Sequence, residues 1–429
     1  MALLIKGGRL IDPASGRDEE LDILIEEGKI GKIARDIRAL GRRIIDASGK
    51  VVSPGFIDLH THLRQPGRED EETIETGSRA AAKGGFTTVC AMPNTEPPVD
   101  DPSLVDFIYG EARRCALVEV LPIATITAGR KGKDLSSMGR LSRAGAVAFS
   151  DDGEWVSDSN LMRRALEYVK MLNLPLISHC EDKALSQEGV MNEGYCSTTL
   201  GLSGMPKQAE EVAVFRDLVL LGMTGSRLHV AHLSTSRGVE LVREAKREGL
   251  RVTSEVTPHH LALTDREVRS FNTNTKMNPP LREEEDVAAL KQGLKDGTID
   301  IIATDHAPHA FEEKEVDYVM APFGITSLET ALGLVIRELL EKGTLTLMEI
   351  LAKMTVNPAR ILGMAIGRIE EGARADLAIF DPKKTWKVRE EEFLSRSTNS
   401  PFIGWELPGK VEWTIAGGRV VYQDPGYCS

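Results

Sequence analysis

A chain of 429 residues, 41% hydrophobic and 28% charged, is long enough for one large domain and a smaller companion, each with a buried core. A formal net charge of −12 without a basic tract excludes non-specific binding to nucleic acid or an anionic membrane, so an anionic ligand must be held by local cations. Five scattered cysteines (Cys90, Cys115, Cys180, Cys196, Cys428) exclude a disulfide framework and a zinc ribbon, and no apolar run has the length of a membrane span or a signal peptide, so a cytoplasmic protein is expected.

From residue 1 to 53, apolar runs and tight turns predict short strands over 3–6, 8–12, 21–26, 29–34, 43–47 and 50–52, with a hairpin turn at Glu27-Gly28-Lys29. The pattern returns over 375–380 and 411–422, where Ala416-Gly-Gly-Arg419 makes another hairpin turn. The two ends, 1–53 and 363–429, are expected to form one small β-sandwich. Between them, over 54–362, apolar strands alternate with amphipathic helices, the signature of parallel βα units. Eight strands are predicted, over 56–59, 87–92, 119–125, 146–150, 176–178, 228–231, 252–256 and 299–303. Helices are predicted over 161–172, 209–221, 238–248, 283–294 and 326–341. This is the pattern of an α/β fold of the (β/α)8 TIM-type barrel; a doubly wound sheet would call for a glycine-rich phosphate loop, and the sequence has none. The longest irregular stretches are 65–72, 182–206 and 306–324.

Polar residues gather where these strands end. His60 and His62 share one face of the first strand and can hold one cation, and Arg64 is expected to continue that face into solvent. Asn94 follows the second strand, Asp151 and Asp152 the fourth, His179 the fifth, His232 the sixth and Asp305 the eighth. In a barrel these positions surround one mouth, where catalytic groups sit. All nine histidines lie at or just beyond predicted strands, which favours a metal site over scattered core imidazoles. Four imidazoles and two carboxylates exceed the ligand count of one tetrahedral zinc, so two metals and a metal-assisted hydrolysis, or its reverse, are expected. Spacing does not choose between Asp151 and Asp152. Of the remaining histidines, His229 is expected to pack, His259 and His260 to have a supporting or structural part, and His306 to brace its loop. Cys180 reads as a small buried residue and not a nucleophile. Glu312-Glu-Lys-Glu315, in the 306–324 loop, reads as a solvated charge run that can also act as a mobile cover.

The strand Gly55-Phe-Ile-Asp-Leu-His-Thr-His62, the order of ligands along the strands and the sandwich built from both termini resemble the amidohydrolase superfamily. More narrowly, His62-Leu-Arg-Gln-Pro-Gly67, Met92-Pro-Asn-Thr95, Ala148-Phe-Ser-Asp-Asp-Gly153, Lys276-Met-Asn-Pro-Pro-Leu-Arg282, Ala303-Thr-Asp-His-Ala-Pro-His309 and Ala321-Pro-Phe-Gly324 resemble the class I bacterial dihydroorotases. That resemblance implies a zinc enzyme that interconverts N-carbamoyl-L-aspartate and L-dihydroorotate in pyrimidine synthesis, with a hydroxide generated at the metals as nucleophile. It implies that His60, His62 and Asp305 bind one zinc, that His179 and His232 bind the other, and that Asp152 bridges them where many relatives carry a carboxylated lysine. Asp305 is implied as the general acid and base, and His62, Arg64, Asn94, Asn278, His309, Phe323 and Gly324 as substrate contacts. The rival readings are another cyclic amide hydrolase (a dihydropyrimidinase, hydantoinase or allantoinase) and a non-catalytic structural partner of aspartate transcarbamoylase. A homodimer and a complex with that transcarbamoylase are both compatible with the sequence.

Overall fold

The computed structural model describes residues 2–39 and 41–427; Cys428 lies outside them. Leu3–Asp12 pairs antiparallel with Arg17–Glu26, and that strand with Lys29–Ala34. Glu27 and Gly28 both take positive φ, 52° and 79°, the geometry of a two-residue hairpin turn whose twist matches its strands. The other edge of Leu3–Asp12 carries Arg43–Asp46 and Val51–Pro54 in parallel. Val51–Pro54 is the seam to the far end of the chain: it pairs antiparallel with Leu377–Asp381, which is followed by Lys410–Ala416 and Arg419–Gln423. Lys29 bridges Arg374, so this eight-stranded sheet folds back on itself over an interior of Ile5, Leu10, Ile23, Leu377 and Ile379. The chain therefore has the α/β architecture anticipated, with a sandwich made by both termini.

The barrel strands are β1 (Phe56–Thr61), β2 (Phe86–Ala91), β3 (Glu119–Pro122), β4 (Phe149–Ser150), β5 (Leu176–Ser178), β6 (Leu228–Val230), β7 (Val252–Val256) and β8 (Ile301–Ile302). β1 to β3 form one parallel arc and β4 to β8 another; bridges between Ala124 and Phe149 and between Thr61 and His306 close the ring. β3, β4 and β8 are shorter than their apolar runs. Pro122 has no N–H to extend a ladder, and the backbone before Phe149 reaches β3 through irregular bonds such as Val147 N to Pro122 O. Ile57, Leu59, Cys90, Leu121, Ile177 and Ile301 pack together inside the ring, while Phe56, Val89, Val120 and Phe149 pack with the surrounding helices.

Two irregular regions carry more structure than their composition suggests. Within 182–206, Lys183–Ser186 and Tyr195–Leu200 are short helices, and Met191–Asn192 pairs with Gly204–Met205. The 306–324 loop contains the helix Phe311–Lys314, and its charge run is only partly solvated: Lys314 is buried, and its Nζ donates to the carbonyls of Thr273 (3.2 Å) and Pro322 (2.7 Å). The helix expected over 326–341 begins at Ala331 and passes into a wider π-type turn over Ile336–Leu340. No described helix is long and apolar enough to cross a membrane.

Candidate metal centre and adjoining cavity

Simple alternation along β1 would put His60 on the opposite face from the interior residue Leu59. The pairing with β2 runs Asp58 to Val89 and then Thr61 to Ala91, so β1 holds one extra residue. This β-bulge re-aims the strand, and Leu59, His60 and His62 can all serve the barrel interior. Asp58 fixes the bulge by accepting from His60 N (3.0 Å) and from Thr304 N at the end of β8 (3.1 Å). His62 N donates to the His306 carbonyl (2.8 Å), and the His306 ring lies between Ser327 N (3.1 Å) and Glu72 (3.3 Å), so His306 braces its loop. His232 and Asp305 take left-handed φ values of 29° and 48°, uncommon for non-glycine residues. Glu210 steadies the turn after His232, accepting from Ser234 N (3.1 Å) and Thr235 N (2.9 Å).

Four histidines converge on Asp152. Its Oδ1 lies 3.3 Å from His60 Nε2, 3.6 Å from His179 Nδ1 and 3.7 Å from His232 Nε2, and its Oδ2 lies 3.5 Å from His62 Nε2. Asp305 Oδ1 lies 3.1 Å from His62 Nε2 and 3.5 Å from His60 Nε2. Asp151 is turned away: its Oδ1 accepts from Ile126 N (2.8 Å) and Thr127 N (3.1 Å), and its Oδ2 from Thr127 Oγ1. Geometry thus separates two neighbours that spacing leaves equivalent.

Three of the four imidazoles are oriented from behind through their second ring nitrogen. Glu255 on β7 has Oε1 2.6 Å from His60 Nδ1 and 3.2 Å from His232 N, and Oε2 3.0 Å from His229 Nε2. His229 Nδ1 is 2.8 Å from Thr253 Oγ1. His62 Nδ1 donates to Asn94 Oδ1 (2.8 Å), and His179 Nε2 to Glu181 Oε2 (2.9 Å), which also accepts from Asn278 Nδ2 (2.8 Å). These bonds set the tautomers, so His60 and His62 present Nε2 to the centre and His179 presents Nδ1. Burial opposes ionisation of Glu255, yet the charge on His60 and the bonds from His229 and His60 hold its carboxyl at about 2. Burial likewise opposes charge on His60, but Asp152, Asp305 and Glu255 hold its pKa well up.

This surplus of negative charge suits a cation. Among the described residues no Lys or Arg side chain forms an ion pair with the carboxylates of Asp152, Glu255 or Asp305. His60 Nε2 and Asp152 Oδ1 are buried, face each other and have no hydrogen-bond partner among the described residues. Buried polar atoms without partners are costly unless a ligand satisfies them. His60, His62 and Asp305, and again His60, Asp152 and His232, bring their donor atoms within 4.8 Å of one another, a spread that metal ions can close. The residues fit divalent metal.

A cavity of about 640 Å³ opens beside these ligands, lined by His62, Arg64, Asn94, Asn278, His309 and Phe323, among others. The structure therefore brings every residue expected at the site to one place. Arg64 departs from expectation in its path: β1 ends at Thr61, Arg64 takes φ 59°, and its side chain is 12% exposed and folded onto the protein instead of pointing into solvent. Gly324 has φ 132°, and a Cβ there would lie 2.7 Å from Ala307 Cβ and 3.1 Å from His309 Nε2. Only glycine lets that backbone approach so closely. His260 bonds Thr257 Oγ1 (2.7 Å) and the Pro279 carbonyl (3.0 Å), a structural part, whereas both ring nitrogens of buried His259 lack partners among the described residues. Burial pushes the thiol of Cys180 far up, so it is no nucleophile. Glu71, Glu181 and Glu255 were not expected here. A carboxylate within the apolar run Val252-Thr-Ser-Glu-Val256 is a signal for Glu255, and Glu181 stands two residues beyond His179, but Glu71 sits unmarked in the charge run Glu69–Glu72.

Comparisons with known proteins agree with this geometry. A family model described as dihydro-orotase-like matches residues 49–238, and one described as the amidohydrolase family matches residues 212–422. The chain is 55% identical over 427 residues to a dihydroorotase of Pelotomaculum thermopropionicum, covering 99% of each chain. It is 50% identical over 426 residues to a dihydroorotase of Syntrophus aciditrophicus, covering 99% of this chain and 100% of that one. Its structure is similar to that of the L-hydantoinase (dihydropyrimidinase) of Arthrobacter aurescens, with a TM-score of 0.88 at 28% identity over 98% of this chain and 96% of that one.

Proposed function

This chain belongs to the dihydroorotase family of the amidohydrolases, and from that premise we propose that it interconverts N-carbamoyl-L-aspartate and L-dihydroorotate with two zinc ions in the cytoplasm. The observation that carries the reading is the convergence of four histidines on Asp152, with Asp305 beside them, at a cavity that also presents Arg64. The free thiols of Cys90, Cys115, Cys180 and Cys196 support a reducing compartment. We assign His60, His62 and Asp305 to one zinc, His179 and His232 to the other, and Asp152 to both. Zinc bound there lowers the pKa of a water and acts as a Lewis acid towards a carbonyl.

The chain's own groups supply the rest. Asp305 is the proton carrier: its Oδ1 lies 3.1 Å from His62 Nε2 and 3.5 Å from His60 Nε2, and a cation held by the same residues would favour its charged form, so it starts as a base. In ring opening it takes the proton of the attacking water and delivers it to the ring nitrogen as the C–N bond breaks; in ring closure it takes the ureido N–H proton as the C–N bond forms and, now the protonated acid, gives it to the departing oxygen. Arg64 offers a planar fork to the substrate carboxylate. Asn94 turns Oδ1 to His62, which frees its amide N–H groups for the substrate, and Asn278 is held at the cavity by Glu181. His309 and the Phe323–Gly324 backbone complete that wall.

The test pairs zinc content by elemental analysis with hydrolysis of L-dihydroorotate by wild type and Asp305→Asn. Two zincs per chain are expected, with a loss of about 10²–10⁴ in kcat for the variant. A single zinc in active protein removes the bridging role of Asp152. No turnover of dihydroorotate by zinc-loaded protein moves the activity to another cyclic amide.

A further inference from the structure

Glu71 lies in a run of four acidic residues, yet its side chain is 2% exposed. Its Oε2 is 2.8 Å from Arg64 Nε, and its Oε1 is 3.0 Å from both His309 Nδ1 and Arg68 Nη2. One carboxylate thus reaches two residues that come from opposite ends of the barrel sequence, one after β1 and one after β8. Glu71 is itself anchored: Ser397 Oγ donates to its backbone carbonyl (2.6 Å), and Arg68 ties it to Glu313 Oε1 (2.6 Å) on the 306–324 loop. Glu71, His309 and Glu313 form a group that could in principle hold a metal ion, but the Arg68 guanidinium already supplies the cation between the two glutamates.

The consequence for Arg64 is directional. A free arginine on a loop samples many rotamers, and ordering it on a ligand opposes binding. Here the Nε edge is committed to Glu71 and to the Pro308 carbonyl (3.1 Å), and Nη2 is 3.3 Å from His309 Nε2. The edge formed by Nη1 and Nη2 is left for a bidentate carboxylate. His309 is fixed at the same time, with Nδ1 at Glu71 and Nε2 2.8 Å from the Phe323 carbonyl.

We infer that Glu71 is the positioning residue of the substrate-carboxylate subsite: it pre-orders the Arg64 fork and the His309 ring, so that an acidic ring substrate is bound in one orientation. The inference rests on the reading of Arg64 as the carboxylate's partner. Glu71 acts through Arg64 and His309, and it lies outside the metal ligands.

The experiment is a double-mutant cycle on the zinc-loaded, full-length protein, with Glu71→Gln, Arg64→Lys and the pair. KM and kcat for L-dihydroorotate are measured together with zinc content and melting temperature. The expected result is a rise in KM of about tenfold or more for E71Q, with kcat within about threefold and zinc unchanged, because ground-state orientation is lost while the reacting groups remain. Since Glu71 works through Arg64, the double variant should have a KM within about twofold of R64K alone. A wild-type KM in E71Q, or effects that multiply in the double variant, overturns the inference. A parallel loss of kcat or zinc in folded E71Q also overturns it, because Glu71 would then be a general structural support. An R64K variant with unchanged KM overturns the carboxylate reading itself, and the role of Glu71 falls with it. If E71Q does not fold, Glu71→Met, of similar volume and uncharged, takes its place in the cycle.

Discussion

Glu255→Gln isolates the part that a carboxylate behind a metal-binding imidazole plays. The substitution conserves shape. The glutamine carbonyl can still accept from His60 Nδ1 and His232 N, now 2.6 and 3.2 Å from Oε1, and its amide can donate to His229 Nε2 once that ring carries its proton on Nδ1, towards Thr253 Oγ1. What disappears is the negative charge that makes His60 a stronger donor. Loss of such a partner weakens metal binding by about 10–100-fold, or about 1.4–2.8 kcal/mol. The effect should fall on the metal position that includes His60, because His179 is oriented separately by Glu181. The assay is titration of metal-free protein with zinc in competition with a chromophoric chelator, with thermal melting as a check that the fold is intact. One zinc should bind as in wild type and the other about 10–100-fold more weakly. Two zincs bound with wild-type affinity by folded E255Q would refute the reasoning.

Gly324→Ala forces a Cβ to within 2.7 Å of Ala307 Cβ at φ 132°, so the urea midpoint should fall by an amount equivalent to roughly 1–3 kcal/mol, and KM should rise as His309 is displaced; a wild-type midpoint would contradict the close approach. Lys353 is buried with Nζ on the Ile299 carbonyl (2.9 Å), and burial pushes its pKa down to about 8. The unfolded chain, with a lysine pKa of about 10.4, binds the extra proton between those values, so stability rises with pH from about 8 to about 10. Lys353→Met should abolish that rise, read as the difference between the two proteins' urea midpoints across this range; parallel profiles would show that the ammonium is not destabilising in the folded state.

The barrel, the sandwich and the gathering of histidines and aspartates at one mouth were legible because each rests on a periodicity: alternation in the terminal strands, βα alternation between them, and histidines recurring at strand ends. The finer geometry was not. Alternation correctly paired His60 with His62, but it could not reveal the extra residue in β1 that lets Leu59 serve the same interior. Asp151 and Asp152 are indistinguishable by spacing, and only the N–H groups of Ile126 and Thr127, from another strand's loop, draw Asp151 away. Arg64 was expected to point into solvent because nothing local announces its left-handed backbone, and Glu71, among three other acidic residues, looks like ordinary solvated charge. Where one side chain is buried by a distant segment, as Glu71 is by Ser397 and His309, no local pattern carries the information.

The seam between Val51–Pro54 and Leu377–Asp381 also bears on how the chain is made. Some 320 residues separate the two strands, so at roughly 5–20 residues per second the N-terminal strands leave the ribosome about 16–65 s before their partner exists. During that interval the apolar edge of Val51–Pro54 is open to other chains, and the sandwich can close only after the barrel has been synthesised. The later-made strands therefore finish the earlier sheet, and removal of residues 363–429 leaves the histidine and aspartate cluster intact on a protein with an unsealed, aggregation-prone edge.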